Sequence, residues 1–224
     1  MGKTQHKIIK GAIDLFNQRG VGAVRVHDIA SHVNISPGNL TYHFKTKKEL
    51  MLAVFQEMRT RLIEMEAVNQ GHVENAEWGK ILRYYFHFQI KYRFFNRDIL
   101  EIVNILPEIR NAYQKQLKQI IEFSKNAIDV YVQNGYMKPE AHEGHYLTLV
   151  QNGLAILTSW LIQWEVLGDE KIDITGGILS VIELYYPYFT ETGLPIYYKT
   201  KTELPLQLKE DLKNSRTSAV IFVD

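Results

Sequence analysis

Residues 36–43, SPGNLTYH, place hydrogen-bonding side chains in a short segment that opens with good helix-initiating residues. The amide of Asn39 can bond to N6 and N7 of one adenine, and Thr41 can offer a hydroxyl to a base or phosphate and a methyl group to thymine. Gly38 has no side chain, so the backbone can approach a ligand closely there. These residue types could bond to the edges of DNA bases if the segment lay in the major groove.

A second cluster with possible chemistry contains Glu140, His142, Glu143 and His145. It lacks the HExxH spacing that puts two histidines on one face of a helix, so we interpret it as a solvated helix start. The sequence also contains no cysteine, no phosphate-binding loop and neither a G-x-S-x-G nor a G-x-G-x-x-G motif. We therefore predict no catalytic residue, no metal, no cofactor and no enzymatic activity.

Charge is unevenly distributed along the 224 residues, although the formal net charge is only +1. Residues 1–50 carry eight basic and three acidic side chains, or +5, whereas the remaining residues carry 18 basic and 22 acidic ones, or −4. Such asymmetry suggests that the N-terminal part meets a polyanion. On charge alone, a merely solvated basic face is the alternative.

The elements that would position the polar segment are short helices. Apolar residues at helical spacing predict a first helix that ends at Gly20, and a second over residues 26–33. Asn34 follows, at a position where the left-handed conformation usually ends a helix. Ser36 is a suitable N-cap and Pro37 a suitable first residue for a third helix that ends near residue 43.

A long fourth helix is predicted from Lys47 to Asn69, with Thr46 and Glu49 as its capping box. The two short helices joined by a three-residue turn form a helix-turn-helix. Because isolated helices of that length are marginal in water, they must pack on the first and fourth helices.

The segment 28–50 resembles the DNA-binding signature of the TetR family of bacterial transcriptional regulators. The resemblance covers about 45 residues, with these matching positions: Leu15, Phe16, Gly20, Asp28, Ile29, Ala30, Ser36, Gly38, Leu40, Tyr42, His43, Phe44, Lys47 and Leu50. It implies an all-α protein, in which an N-terminal three-helix helix-turn-helix domain is joined by a long helix to a C-terminal helical domain for ligand binding and dimerisation.

The resemblance also implies that the third helix enters the major groove and that Tyr42, His43 and Lys47 contact phosphate. One position departs from the family pattern: Arg25 stands where a Ser or Thr usually caps the second helix, and an arginine cannot cap with an oxygen. We predict that DNA is contacted by Arg25, His27, Ser36, Pro37, Gly38, Asn39, Thr41, Tyr42, His43 and Lys47.

Aromatic residues are dense in a predicted fifth helix at about 75–95, followed by a short helix near 98–105 and a long one that ends by Gly135. These rings fall on several faces, which is typical of a helix surrounded by others. The resemblance places a ligand pocket among these helices, whereas simple core packing is the alternative. Our candidate lining is Tyr84, Tyr85, Phe88, Tyr92, Tyr113, Phe123 and Trp160.

Residues 146–164 contain no charge, which invites a membrane-spanning interpretation. Their polar amides and hydroxyls oppose it, and two apolar seams at helical spacing indicate a helix buried on two sides. Together with a helix at about 174–189, it resembles the family's four-helix homodimer interface. The predicted interface comprises Leu147, Val150, Leu154, Leu157, Leu161, Trp164, Ile178, Val181, Ile182 and Tyr185.

We therefore divide the chain into a helix-turn-helix domain at 1–47, a ligand-binding and dimerisation domain at 48–192, and a C-terminal extension at 193–224. The extension is predicted to contain an amphipathic helix at about 203–214 and to end in apolar residues. The N-terminus lacks the apolar run of a signal peptide and cysteine is absent, so we expect a cytoplasmic protein.

The resemblance implies a transcriptional regulator, most often a repressor, that binds a palindromic operator in double-stranded DNA as a homodimer. A small hydrophobic or aromatic effector would release or modulate it. The alternative is a helical small-molecule-binding or interaction protein whose helix-turn-helix no longer reads specific DNA.

Overall fold

The computed structural model describes residues 2–167 and 174–214. Within these ranges the regular elements are helices, and strand-like pairing is limited to a bridge between Met137 and Phe189. The prediction of an all-α fold is confirmed. The helices are α1 (Lys3–Arg19), α2 (Val26–His32), α3 (Pro37–His43), α4 (Lys47–Glu74), α5 (Trp78–Lys91), α6 (Arg93–Arg97), α7 (Ile99–Ile105), α8 (Pro107–Gln133), α9 (His145–Leu167), α10 (Ile174–Ile182) and α11 (Leu194–Asn214), with a 3-10 turn at Tyr186–Tyr188.

The chain forms two compact units, which we call the N-terminal and C-terminal units. The N-terminal unit comprises residues 1–63 and 92–115, and the C-terminal unit comprises residues 64–91 and 116–224. Both α4 and α8 therefore contribute to each unit. The division differs from the boundaries expected from the sequence after residues 47 and 192.

In the N-terminal unit, α1 packs on α2, and α2 packs on α3. Ile8, Ala12 and Phe16 on α1 are fully buried, as their spacing predicts. The helix ends are set locally: Gly20 ends α1 with φ +83°, and Asn34 follows α2 with φ +53°. Both residue types tolerate the left-handed region, which explains why these ends could be predicted.

In the C-terminal unit, α11 packs along α5 and α10, and α9 packs on α5 and α10. Tyr197, Leu204 and Leu208 of α11 are fully buried in this core. The part of the expected C-terminal extension that the structure describes is thus an integral helix of the unit. The apolar ending at 219–223 lies outside the described residues.

Four helix predictions needed correction. The α4 helix continues to Glu74, past its predicted end at Asn69, and the aromatic helix divides at Tyr92 into α5 and α6. The helix expected to reach 189 ends at Ile182, and a separate 3-10 turn that contains Pro187 follows at Tyr186–Tyr188. The last helix begins at Leu194, nine residues before its predicted start. No helix among the described residues combines the length and apolarity needed to cross a membrane.

Candidate DNA-recognition helix and ligand cavity

The α3 helix is anchored by its apolar side and displays its polar side. The Oγ of Ser36 accepts a hydrogen bond from the N–H of Asn39 at 3.1 Å, as expected for an N-cap. Leu40 is fully buried, whereas the candidate base readers Asn39 and Thr41 are exposed. Of the predicted α3 residues, only His43 is partly buried.

The two aromatic residues at the end of α3 form a projecting pair. The Tyr42 side chain is 84% exposed, and its ring meets the His43 ring edge-on at a centroid separation of 5.2 Å. An exposed tyrosine of this kind contributes nothing to the core, because its apolar ring remains in water. The arrangement leaves its hydroxyl available to a partner at the helix end.

The start of α2 explains how Arg25 can replace the usual Ser or Thr. The N–H of Arg25 donates to Oδ2 of Asp28 at 2.8 Å, which supplies the carboxylate half of a capping box. This backbone hydrogen bond holds the pKa of Asp28 below its ordinary value, and the nearby His27 contributes in the same direction. The guanidinium of Arg25 is not needed for capping, and both Arg25 and His27 remain exposed.

Lys47, like His43, is partly buried. Its Nζ donates a hydrogen bond to the carbonyl of Val21 at 2.5 Å, which ties the start of α4 to the loop between α1 and α2. Burial lowers the pKa of Lys47, and the charge of Glu101 opposes that shift. The structure thus gives Lys47 a role within the protein in addition to the predicted phosphate contact.

A cavity of about 90 Å³ lies within the C-terminal unit, between α5, α8, α9 and α10. Its lining contains no charged residue and consists of Trp78, Ile81, Leu82, Tyr85, Ile120, Phe123, Ser124, Ala127, Ile128, Tyr131, Met137, Val150, Gly153, Leu154, Leu157, Val181, Tyr185 and Phe189. An apolar lining with a few hydroxyls is typical of small-molecule sites. We call it the inner cavity.

Four hydroxyl-bearing side chains line the inner cavity, namely Tyr85, Ser124, Tyr131 and Tyr185. The hydroxyl of Tyr85 is buried and makes no hydrogen bond with the part of the chain that the structure describes, and burial raises its pKa well above the usual range. Burial likewise raises the pKa of Tyr185 to about 12. Because an unpaired buried hydroxyl is unfavourable, Tyr85 offers a hydrogen bond to any suitable ligand atom.

Only Tyr85 and Phe123 of the predicted pocket residues line the inner cavity. Tyr92 and Tyr113 belong to the N-terminal unit, where the Tyr113 ring packs against Phe95. The remaining three lie in the C-terminal unit outside the lining. Tyr84 is partly exposed and stacks on His72, Phe88 is half-buried, and Trp160 packs on Phe86 and on the backbone at Gly177.

The predicted dimer seam is largely internal. Six of its ten residues are buried within the C-terminal unit: Val150, Leu157, Leu161, Ile178, Val181 and Ile182. Three others, Leu154, Trp164 and Tyr185, are half-buried, and Leu147 is exposed. The spacing identified the faces of α9 and α10 that pack inside the unit, since a subunit interface and a core produce the same apolar period.

The acidic and histidine cluster at 140–145 makes local contacts. Oε1 of Glu140 accepts a hydrogen bond from the N–H of Tyr146 at the start of α9, and Nε2 of His145 lies 2.9 Å from the Tyr188 hydroxyl. Among the residues that the structure describes, no group of three or more acidic or histidine side chains could hold a metal ion.

Two models of known protein families match segments that together include parts of both units. A model of the bacterial regulatory proteins of the tetR family matches residues 8–54, and a model described as a bacterial transcriptional repressor (TetR) matches residues 48–197. A probable HTH-type transcriptional regulator, YttP, from Bacillus subtilis is 28% identical over an alignment of 127 residues that covers 53% of this chain and 61% of that protein. The chain thus matches less than two thirds of that relative's length.

Two further similarities extend over most of the chain. The fatty acid metabolism regulator protein of Bacillus subtilis is 22% identical over 178 residues, which are 80% of this chain and 91% of that protein. The crystal structure of a TetR-family transcriptional regulator from Marinobacter aquaeolei VT8 has a TM-score of 0.73 at 24% identity and covers 89% of this chain and all of its own. With the second family model covering more than half of the sequence, the chain belongs to the TetR family of bacterial transcriptional regulators.

Proposed function

We propose that the protein is a repressor that binds a palindromic operator as a homodimer and is released by a small, predominantly apolar ligand. The observation that carries the proposal is the exposed polar side of α3, fixed by the Ser36 cap and the buried Leu40. In a helix-turn-helix, such a helix presents its N-terminal residues to base edges in the major groove. We assign the base-specific contact to Asn39, and phosphate contacts to Tyr42, His43 and Lys47.

A homodimer supplies the second α3 that a palindrome requires, about one turn of DNA away. Most of the predicted seam is buried, so we assign the contact to the outward face of α9. Thr148, Ala155 and Gln163 on this face are exposed, and Ser159 and Ile162 are half-buried. Small and apolar residues on one helical face allow close packing against the same face of a second copy.

The ligand that releases the protein from DNA would bind in the inner cavity. Its lining without charged residues favours an apolar ligand, and the relative whose name refers to fatty acid metabolism regulation is consistent with this class. Two states that differ in operator affinity need a coupling free energy of only about 1–3 kcal/mol. A bacterial repressor acts on chromosomal DNA, so we place the protein in the cytoplasm.

Selection of bound fragments from genomic DNA, followed by sequencing, tests the DNA-binding part. We expect a palindromic motif to be enriched by the wild-type protein, and Asn39→Ala to weaken binding by about 1–3 kcal/mol, mainly at one base position in each half-site. Asn111→Ala, at an exposed position of α8, is the matched control for loss of a surface asparagine side chain. Equal losses for Asn39→Ala on the motif and on scrambled DNA would rule out Asn39 as a base reader. Absence of any enriched motif would favour a protein that no longer reads DNA.

Sedimentation velocity tests the dimer. Ile162→Asp places a charge on the outward face of α9, and we expect it to shift the protein to a monomer and to abolish binding to the full palindrome. Thr202→Asp, at an exposed position of α11, is the control. A dimer that persists in Ile162→Asp would exclude this face as the interface.

A further inference from the structure

A second cavity lies beside the inner cavity, within the same C-terminal unit. Its volume is about 420 Å³, and we call it the outer cavity. It is lined by Asn75, Ala76, Glu77, Trp78, Gly79, Lys80, Tyr136, Thr192, Pro195, Ile196, Lys199, Thr200, Glu203, Leu204 and Gln207. Of the described residues that line the two cavities, only Trp78 lines both.

The Trp78 side chain is held on its inner side by two aromatic rings. Its ring centroid lies 5.4 Å from that of Tyr185 and 5.4 Å from that of Phe189, and both of these residues line the inner cavity. Trp78 itself is half-buried and is the first residue of α5. Because Trp78 is the residue that the two linings share, we infer that its indole separates the two spaces.

The backbone two residues before Trp78 is in an unfavourable conformation. Ala76, two residues before it, has φ +55°, a conformation that is unfavourable for a residue with a Cβ atom. The link of residues 75–77 between α4 and α5 is therefore strained beside the indole. Strain of this kind persists where surrounding structure enforces it, and it often accompanies sites that change conformation.

The volumes indicate that the inner cavity is too small to hold a typical ligand by itself. Ligand pockets usually measure about 300–1,000 Å³, whereas the inner cavity measures about 90 Å³. The outer cavity alone reaches this range. A ligand of typical size would therefore need space beyond the inner cavity, and the outer cavity next to Trp78 can supply it.

The two cavities differ in chemistry. The inner lining carries no charged side chain, whereas the outer lining carries the two cations Lys80 and Lys199 and the two anions Glu77 and Glu203. Glu77 and Lys80 also pair with each other, at 2.5 Å. A zwitterionic group can pair with the cations and with the anions of such a site. A group of single charge is attracted by one set and repelled by the other.

We propose that the two cavities form one site gated by Trp78, and that its ligand is an amphipathic molecule with an uncharged apolar chain in the inner cavity and a zwitterionic head group in the outer cavity. This inference rests on the proposed function, because it names the class of effector. Displacement of Trp78 joins the two spaces and admits the chain, and the rings of Tyr185 and Phe189 then contact it.

Calorimetric titration with three twelve-carbon probes tests the head group, each below its micelle concentration. We expect N-dodecyl-N,N-dimethylglycine, which is zwitterionic, to bind at least about tenfold more tightly than dodecanoate or dodecyltrimethylammonium. The butyl homologue of the zwitterion should bind at least about 100-fold more weakly, because each buried methylene adds to affinity. Equal affinity for the three head groups, or no dependence on chain length, would overturn the proposal.

Variants of the outer cavity test whether the site extends past Trp78. Lys199→Ala and Glu203→Ala should each weaken the dodecyl zwitterion at least about fivefold, with Lys209→Ala, outside both linings, as the matched control. In a Trp160→Phe, Trp164→Phe background, Trp78 is the remaining tryptophan, and its emission should change on binding. Trp78→Ala should accelerate association at least about tenfold in stopped-flow mixing, whereas Trp78→Phe should have a smaller effect.

The outcomes separate this inference from the proposed function. If the zwitterion binds but the outer variants and Trp78 emission are unaffected, the ligand occupies the inner cavity alone, and the gate is excluded while the ligand-responsive repressor stands. If neither the dodecyl probes nor toluene, which is small enough to test the inner cavity by itself, binds the wild-type protein, then the proposed release by an apolar ligand in the inner cavity is overturned together with the gate. Titration of the wild-type chain supplies this result even if the tryptophan variants fail to fold.

Discussion

Asp98 holds the backbone of Val21 across 77 positions of sequence: its Oδ2 accepts a hydrogen bond from the Val21 N–H at 2.7 Å. The same carboxylate pairs with Arg97, whose Nη2 donates to the carbonyl of Phe16 at 2.7 Å. Val21 and Phe16 are fully buried. The junction of α6 and α7 thus fixes the end of α1 and the loop that leads into α2, within one compact unit.

Replacing Asp98 with Ala should destabilise the N-terminal unit. The variant leaves the buried Val21 N–H without its acceptor, and we expect a loss of about 1–3 kcal/mol in the free energy of unfolding. Urea denaturation followed by circular dichroism measures the effect, with Glu108→Ala, at an exposed position, as the control. A decrease in the free energy of unfolding of less than about 0.5 kcal/mol would mean that water accepts the hydrogen bond from Val21 in place of the carboxylate.

The parts of the fold that could be predicted are those with local causes. Ser36, Pro37 and Asn34 set the ends of α2 and α3 through hydrogen bonds and backbone conformations confined to a few residues. The Asp98–Val21 contact had no such signal, because two residues far apart in sequence leave no periodic pattern.

The cavity and the predicted dimer seam show a second limit. Spacing identifies which faces of α9 are apolar, but Val150 and Leu157 would recur at the same interval whether they met a core, a cavity or a partner. The structure shows that both line the inner cavity. The sequence shows Trp78 as one of several aromatic residues. Its position in the lining of both cavities depends on the packing of α11, which the spacing of apolar residues does not predict.

Lys47→Met should affect both stability and DNA binding. The methionine keeps the apolar stem but leaves the Val21 carbonyl without the Lys47 donor, so we expect the free energy of unfolding to fall by about 1 kcal/mol. If Nζ also reaches phosphate in the complex, the slope of log K against log salt should fall by about one.

Titration of a fixed operator at several salt concentrations measures this slope for Lys47→Met, with Lys209→Met as the control. We expect the slope to change only in the first variant. A loss of stability with an unchanged salt slope would confine Lys47 to the internal contact with Val21.

Ala76→Gly should stabilise the protein. The end of α4 is closed by hydrogen bonds from the N–H of Glu77 to the carbonyl of His72 and from the N–H of Ala76 to that of Val73, a motif that usually has glycine in the left-handed position. Removing the Cβ at φ +55° should raise the free energy of unfolding by about 0.5–1 kcal/mol.

The matched control is Ala67→Gly, in the exposed interior of α4, which should instead lower stability by about 1 kcal/mol. Opposite signs for the two alanine-to-glycine changes, measured by urea denaturation, would establish strain at Ala76. Destabilisation by both would show that the αL conformation is not maintained in solution.

Asp211→Asn should weaken the attachment of α11 to α5 in a pH-dependent manner. Asp211 accepts two hydrogen bonds from Arg83, at 2.5 and 2.6 Å, and lies 2.6 Å from Nε2 of His87. Burial acts to raise the pKa of Asp211, but the hydrogen bonds from Arg83 and His87 outweigh it and hold the pKa below its ordinary value of 3.8. The ionised form is therefore stabilised by folding.

A depressed folded-state pKa contributes stability above the pKa of the unfolded chain, and that contribution disappears as the pH falls through the folded-state value. We expect Asp211→Asn to lower the free energy of unfolding by about 1 kcal/mol at pH 7, a modest value because the pair is partly exposed and screened by solvent. The difference from wild type should shrink as the pH falls below about 4, where the unfolded chain begins to take up the proton, and should disappear as the pH falls through the lower pKa of the folded carboxylate. Urea denaturation across this range measures it, with Glu122→Gln, at an exposed site on α8, as the control. A difference that stays constant down to pH 2 would show that the two proteins differ in packing rather than in the charge of Asp211.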